Sequence, residues 1–192
     1  MAPKENHGFT LIELLVVIAI ISVFSLTGVY LMIYMVQQSI FIPRQLNTDM
    51  IGSQALDMMV EGDQQAKGLR FSRTILSIQT SRVDFTNQEG LEIRYRVNSS
   101  KLERRIINAG AGTDSGWVIT PYYQNPDVIF QANPGPIFTY YDTNENILAA
   151  ISGNQGSVRR IAINFVAKTN TGSFVNWEGS SKVGTSVAIK QF

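Results

Sequence analysis

The chain has 192 residues, enough for one ordinary domain and an appendage on the rough scale of about 100 to 200 residues per domain. A formal net charge of +1 with 16% charged residues leaves no global electrostatic basis for holding a polyanion. There is no cysteine and the single histidine is His7, which excludes disulfides and thiol chemistry and leaves little from which to build a zinc site or a histidine-activated nucleophile.

Residues 1–8 form a short polar leader whose basic residue is Lys4. From Leu14 to Val36 follow 23 residues without a charge. About 20 apolar residues suffice to cross the hydrocarbon core as a helix, so this run can span a membrane. Glu13 stands at its edge. An unpaired carboxylate in lipid costs several kcal/mol, so an intramembrane acid calls for a named partner. No basic residue lies between Gly8 and Arg44, and the partner must come from elsewhere.

A secretory signal peptide would have an apolar core of about 7 to 15 residues followed by a small-residue cleavage site. Here the run is longer, Glu13 interrupts its start, and more apolar sequence follows the small residues of Ser22 to Gly28. A plain single-pass anchor fits the run but leaves Gly8 to Glu13 without an explanation.

Lys4 and the stretch Gly8-Phe9-Thr10-Leu11-Ile12-Glu13-Leu14-Leu15-Val16-Val17-Ile18-Ala19-Ile20-Ile21 resemble the processing and N-methylation signal of type IV pilins and the pseudopilins of type II secretion. The resemblance implies cleavage between Gly8 and Phe9 by a prepilin peptidase and methylation of Phe9. It implies for Glu13 a role in assembly, paired with the free amino group of Phe9 in the same or a neighbouring subunit. The implied partners are the peptidase, other pilin or pseudopilin subunits, the inner-membrane assembly platform and inner-membrane lipid. One departure is His7, where the family commonly has Lys or Arg before the Gly. Removal of the leader would take His7 with it, and no enzyme activity is expected of the mature chain. Positive charge is retained in the cytoplasm, which places the N-terminus inside and the head outside.

Beyond Val36 the helix is expected to continue through a bend at Pro43. Ile51, Ala55, Met58, Met59, Gly62, Ala66 and Leu69 recur at helical spacing, opposite Asp49, Asp57, Glu61 and Asp63. The expected helix runs from about Phe9 to Lys67 and ends at Gly68, on the order of 85 to 90 Å long. From Arg73 the period changes to two. Leu91, Ile93, Tyr95 and Val97 alternate with Glu92, Arg94, Arg96 and Asn98, the pattern of a half-buried strand. Further strands are expected at 75–79, 83–86, 102–107, 137–141, 160–168 and 185–190, the first four strands as a meander. Asn108 to Pro136 reads as an irregular excursion with a short strand at 117–120.

These elements give an α+β, pilin-like fold, a long N-terminal helix packed on an antiparallel β-sheet head. The expected divisions are a leader (1–8), a transmembrane helix (9–36), its periplasmic amphipathic continuation (37–67) and the head (68–192). Within the head, Leu91 to Arg105, Pro136 to Asp142, Val158 to Ile161 and Thr185 to Lys190 resemble minor pseudopilins of the J type. The implied function is a structural minor pilin or pseudopilin at or near a filament tip. The alternative is a competence-type minor pilin whose head binds DNA through Arg94, Arg96, Arg104, Arg105, Arg159 and Arg160, but alternation puts Arg94 and Arg96 on a solvated face and acids balance the arginines. Nucleic acid is therefore disfavoured as a partner. Asp142-Thr143-Asn144-Glu145-Asn146 has the oxygen spacing that opens a calcium loop, yet Ile147 replaces the following Gly and Gly153 the closing Glu. A polar hairpin turn is the better reading, and no cofactor or metal is expected. Trp117, Tyr122, Tyr123, Phe130, Phe138, Tyr140 and Tyr141 are expected to cover a core.

Overall fold

The computed structural model describes residues 10–119, 128–151, 153–169 and 179–189. The chain is an α+β protein whose internal contacts divide it into two units, Met1–Phe41 and Ile42–Phe192. One helix, α1 (Leu11–Val60), begins in the first and ends in the second. Pro43 lies inside α1 rather than ending it.

In the first unit every large apolar side chain of α1 from Leu11 to Val36 is exposed. Ser22 and Thr27 donate their hydroxyls to the carbonyls of Ile18 and Val23, one turn back, so these two polar side chains are satisfied without water.

In the second unit the helix buries one face. Thr48, Ile51, Gly52, Ala55, Met59 and Val60 are buried, the face that the spacing of Ile51, Ala55 and Met59 marks out. The helix ends at Val60, seven residues short of the expected Lys67. The cause is Gly62, whose φ of +91° breaks the helical path. The chain then folds back: Asp63 N–H donates to Ala66 O, Gly68 N–H donates to Glu61 O, and Gly62 bridges Lys67. Ala66 and Leu69 are buried as the period requires, but from this loop and the 3-10 turn Leu69–Phe71.

The first sheet is a meander of β1 (Ser72–Ile78), β2 (Arg82–Asn87), β3 (Glu92–Asn98) and β4 (Lys101–Asn108), antiparallel in that order. Two short strands, β5 (Thr113–Asp114) and β6 (Val118–Ile119), both pair with β4. The second sheet is built on β10 (Arg160–Thr169). β11 (Ser180–Ala188) lies along one side of it, while β8 (Phe138–Tyr141) and β7 (Val128–Ala132) share the other, and β9 (Ile147–Leu148) pairs with β8. β7 lies within what the sequence suggests is an irregular excursion, and β11 begins five residues before the expected Thr185. Thr120, Tyr122, Tyr123 and Lys190 lie outside the described residues.

Helix and sheets share one core. Ile51, Ala55 and Met59 pack with Phe85, Ile93 and Tyr95 of the first sheet and with Phe130, Phe138, Tyr140, Ile161 and Phe165 of the second. Phe130 and Phe165 meet edge to face, ring centroids 5.4 Å apart.

Candidate functional site: the first turn of the helix

Gly8, Phe9 and the leader with Lys4 and His7 lie outside the described residues. Glu13 lies in the first turn of α1, and its place is set by Thr10. Glu13 Oε2 accepts the Thr10 backbone N–H at 2.9 Å and the Thr10 hydroxyl at 3.0 Å, while Glu13 N–H donates to Thr10 Oγ1 at 3.3 Å. This is a capping box, in which Thr and Glu three residues apart satisfy each other's backbone donors at a helix start. A carboxylate there also faces the positive end of the helix dipole. Glu13 Oε1 has no partner among the described residues, so the side chain is anchored through one oxygen and offers the other. The spacing Thr10-x-x-Glu13 carries this signal in the sequence itself.

Directly behind this turn runs the exposed apolar surface of Leu11 to Val36, and the chain as described supplies no group to cover it. Residues 3–29 match the family described as prokaryotic N-terminal methylation motif. The matched stretch is similar to a prepilin-type signal. That supports a type IV pilin or pseudopilin precursor processed by a prepilin peptidase and assembled with other pilin subunits, and with the apolar helix it fits a membrane-anchored chain. The comparison with curated proteins gives no match.

In the head, the arginines that the sequence groups together are divided between the two faces of the first sheet and the start of β10 in the second. Arg94 meets Glu92 and lies 4.0 Å from Asp84; Arg96 meets Glu103 at 2.6 Å; Arg105 meets Asp114. Arg105 holds the Asp114 carboxyl down at about 2, helped by the Gly116 N–H. Arg160 pairs with Glu145 across the other sheet, and Arg159 Nη1 donates to the carbonyls of Gly156 and Val158. A phosphate would have to displace a carboxylate from most of these arginines. Trp117 lies on this charged face, 3.8 Å from the Arg96 guanidinium and 5.6 Å from that of Arg82, so it covers an ion-pair layer rather than the core. Tyr141 likewise stacks on Arg160, whereas Phe130, Phe138 and Tyr140 are core residues.

Arg104 differs from the rest. It shares the inner face of β4 with Leu102, is 2% exposed, and stands opposite Tyr95 in the β3–β4 register. Its Nη1 lies 2.9 Å from Asp63 Oδ2 and its Nη2 donates to Gln65 Oε1 at 3.0 Å. Asp63 Oδ1 accepts the N–H groups of Gln65 and Ala66, and the Tyr95 hydroxyl donates to Met58 O at 3.0 Å. Burial pushes the Tyr95 phenol up to about 12. The loop that ends the helix is thus latched to the first sheet by an ion pair between the buried Arg104 and the partly exposed Asp63.

The Asp142 segment is a hairpin turn between β8 and β9. Asp142 Oδ1 accepts the N–H groups of Asn144 and Asn146, and Oδ2 accepts Asn146 Nδ2, which together hold the carboxyl below its usual range. Both oxygens are engaged in shaping the turn, and Glu145 is turned to Arg160.

Proposed function

We propose that this chain is a structural subunit of a pilus-like filament, made as a precursor, cleaved between Gly8 and Phe9, methylated on Phe9, and held in the bacterial inner membrane by the 9–36 helix until it is assembled. The leader is cytoplasmic and the head lies on the far side, with 37–67 as the periplasmic link into a 68–192 head. The observation that carries this reading is the match of residues 3–29 to the methylation motif, overlapping α1, whose large apolar side chains from Leu11 to Val36 have no cover among the described residues.

Assembly is driven by apolar helix packing. In the head unit the face of α1 opposite the buried one carries Ile42, Leu46 and Met50, which are 51%, 64% and 52% exposed, at the i, i+4, i+8 spacing of one stripe. Helices of neighbouring subunits would cover it. Glu13 sets the register: its free oxygen accepts the Phe9 ammonium of the same or an adjacent subunit while Thr10 holds the other. A charge pair in low dielectric fixes position better than it adds stability, because a misplaced subunit leaves a charge alone. The likeness of several head segments to minor pseudopilins of the J type supports a place at or near the tip of a type II pseudopilus or a type IV pilus.

Mass spectrometry of the mature N-terminus in cells with and without the peptidase tests the reading. The expected product begins at methylated Phe9 only when the peptidase is present. An intact Met1 in both strains would sink it.

A further inference from the structure

The outer edge of β11 is open among the described residues, and the structure shows what it accepts. In the ladder with β10 the odd-numbered residues of β11 face inward, as the Thr169 N–H to Gly179 O and Ile189 N–H to Arg159 O bonds at its two ends require. Ser180 therefore turns its backbone outward, and there it meets the Gln45 carboxamide: Ser180 N–H donates to Gln45 Oε1 at 3.0 Å and Gln45 Nε2 donates to Ser180 O at 3.1 Å. The side-chain amide occupies the position of a peptide group in a neighbouring strand. Lys182, Gly184, Ser186 and Ala188 present the same outward N–H and C=O pairs with no partner among the described residues, and all four are exposed. Edges of this kind are usually blunted by bulges, prolines or several charges. β11 runs nine residues in unbroken register and carries one lysine.

We propose that the β11 edge from Lys182 to Ala188 is an addition site for an extended strand of a partner polypeptide, one bearing acidic side chains on the face that meets Lys182. Main-chain bonds supply the affinity in this mode and alternate side chains the selectivity. The charge preference follows from Lys182 and Lys168, which lie on the same face of the β10–β11 ladder, two pairs apart, with no carboxylate partner among the described residues. A second copy does not fit. Its β11 would bring a second Lys182 and no acidic residue to the pairing.

The test uses the full chain in detergent micelles and a labelled seven-residue peptide alternating threonine and glutamate, read by fluorescence anisotropy. Binding is expected, with its loss when alternate peptide nitrogens are methylated, and binding about two- to fivefold weaker when lysine replaces glutamate. Ser186→Pro removes an outward N–H, a substitution edge strands tolerate, and should abolish binding while the head melts as in the wild type. Should that variant fail to fold, Lys182→Glu carries the test by reversing the preference to the threonine–lysine peptide. No binding, equal binding of the methylated peptide, or equal binding by a folded Ser186→Pro chain would overturn the proposal. So would self-association of the chain that Ser186→Pro abolishes, which would give the edge to a second copy.

Discussion

One helix passes through two environments. From Leu11 to Val36 its large apolar side chains are all exposed, whereas from Thr48 to Val60 the side chains of one face are buried against two sheets. The two glycines of α1 register the contrast. A Cβ added at Gly28 meets nothing within 4 Å, while at Gly52 it would stand 2.7 Å from Val183 Cγ2 and 3.5 Å from Ala167 Cβ. The head half is adapted to this chain's own β10 and β11. The first half has no such cover among the described residues, and on the proposed function it meets lipid at one stage and other subunits at another. The head's stability and the subunit's assembly should therefore be separable by mutation.

The largest separation is expected at Glu13. Glu13→Ala removes the capping box and the proposed register charge, so incorporation into filaments, followed by shearing and immunoblotting, should be lost. The helix start loses one half of its capping box, and the melting temperature of the head should not move. A head that melts earlier would break the division between the two halves.

The strongest effect on the head is expected at its latch. Asp63→Ala leaves Arg104 buried with Gln65 and Tyr95 but no counter-charge, a loss on the order of 3 kcal/mol, the lower end for a broken buried pair because the Asp63 side chain is 26% exposed. Urea unfolding of the detergent-solubilised chain measures it. Assembly should survive wherever the head remains folded.

The latch also shows where the sequence is legible and where it is not. Alternation along Leu91 to Asn98 identifies β3 and both its faces, and the Gly8 to Glu13 signal stands in the letters. Arg104 lies at the same parity as Leu102 and Ile106, so alternation already places it inward, but a basic residue in a run of arginines invites grouping with its exposed neighbours. The helix end is hidden for a related reason: Gly62, Ala66 and Leu69 continue the helical period because a loop folded back on the core buries residues at similar intervals. β7 and the first half of β11 have weak local signals, Ser180-Ser181-Lys182-Val183-Gly184 in particular, and exist as strands because β10 pairs with them. The Gln45–Ser180 contact joins residues 135 positions apart and has no local signature.

The glycine comparison gives a smaller effect. Gly52→Ala should destabilise the head by about 1 kcal/mol, since overpacking costs roughly 1–3 and helix propensity returns up to about 1. Gly28→Ala should leave the head's unfolding free energy unchanged. Equal losses at the two sites would mean that the first half is also packed within the chain.

A gain of similar size is expected at the β3–β4 hairpin. Ser99 and Ser100 have φ of +48° and +62°, a two-residue turn with both residues left-handed, where Asn-Gly is the favoured pair. Ser99→Asn with Ser100→Gly should stabilise by about 0.5–1 kcal/mol, because the native conformation is retained and strain is relieved. The Ser100 carbonyl accepts the Phe130 N–H at 2.8 Å, so amide exchange at Phe130 reports whether the turn keeps its geometry.

The smallest expected effect is in pH, and it too should be confined to the head. Asp114 titrates at about 2 in the folded chain, against an ordinary value of 3.8, chiefly through its hydrogen bond from Arg105. A carboxyl whose folded pKa is depressed contributes stability that is fully present above its unfolded value and is lost as pH falls through the folded one. The loss attributable to this pair should therefore develop between about pH 4 and pH 2, and be absent in Asp114→Asn. The pair is solvent-exposed, so the difference between the two melting curves should shrink when salt is raised, as screening requires. At the alkaline end the sign reverses. Tyr95, raised to about 12 by burial, contributes stability that is complete below pH 10 and declines as pH rises towards 12, when the unfolded chain alone releases the proton. Tyr95→Phe should make that decline shallower, leaving the part due to Tyr140, whose phenol burial also raises. At neutral pH it should lose the stability carried by the bond to Met58 O, which ties the end of the buried half of α1 to the first sheet.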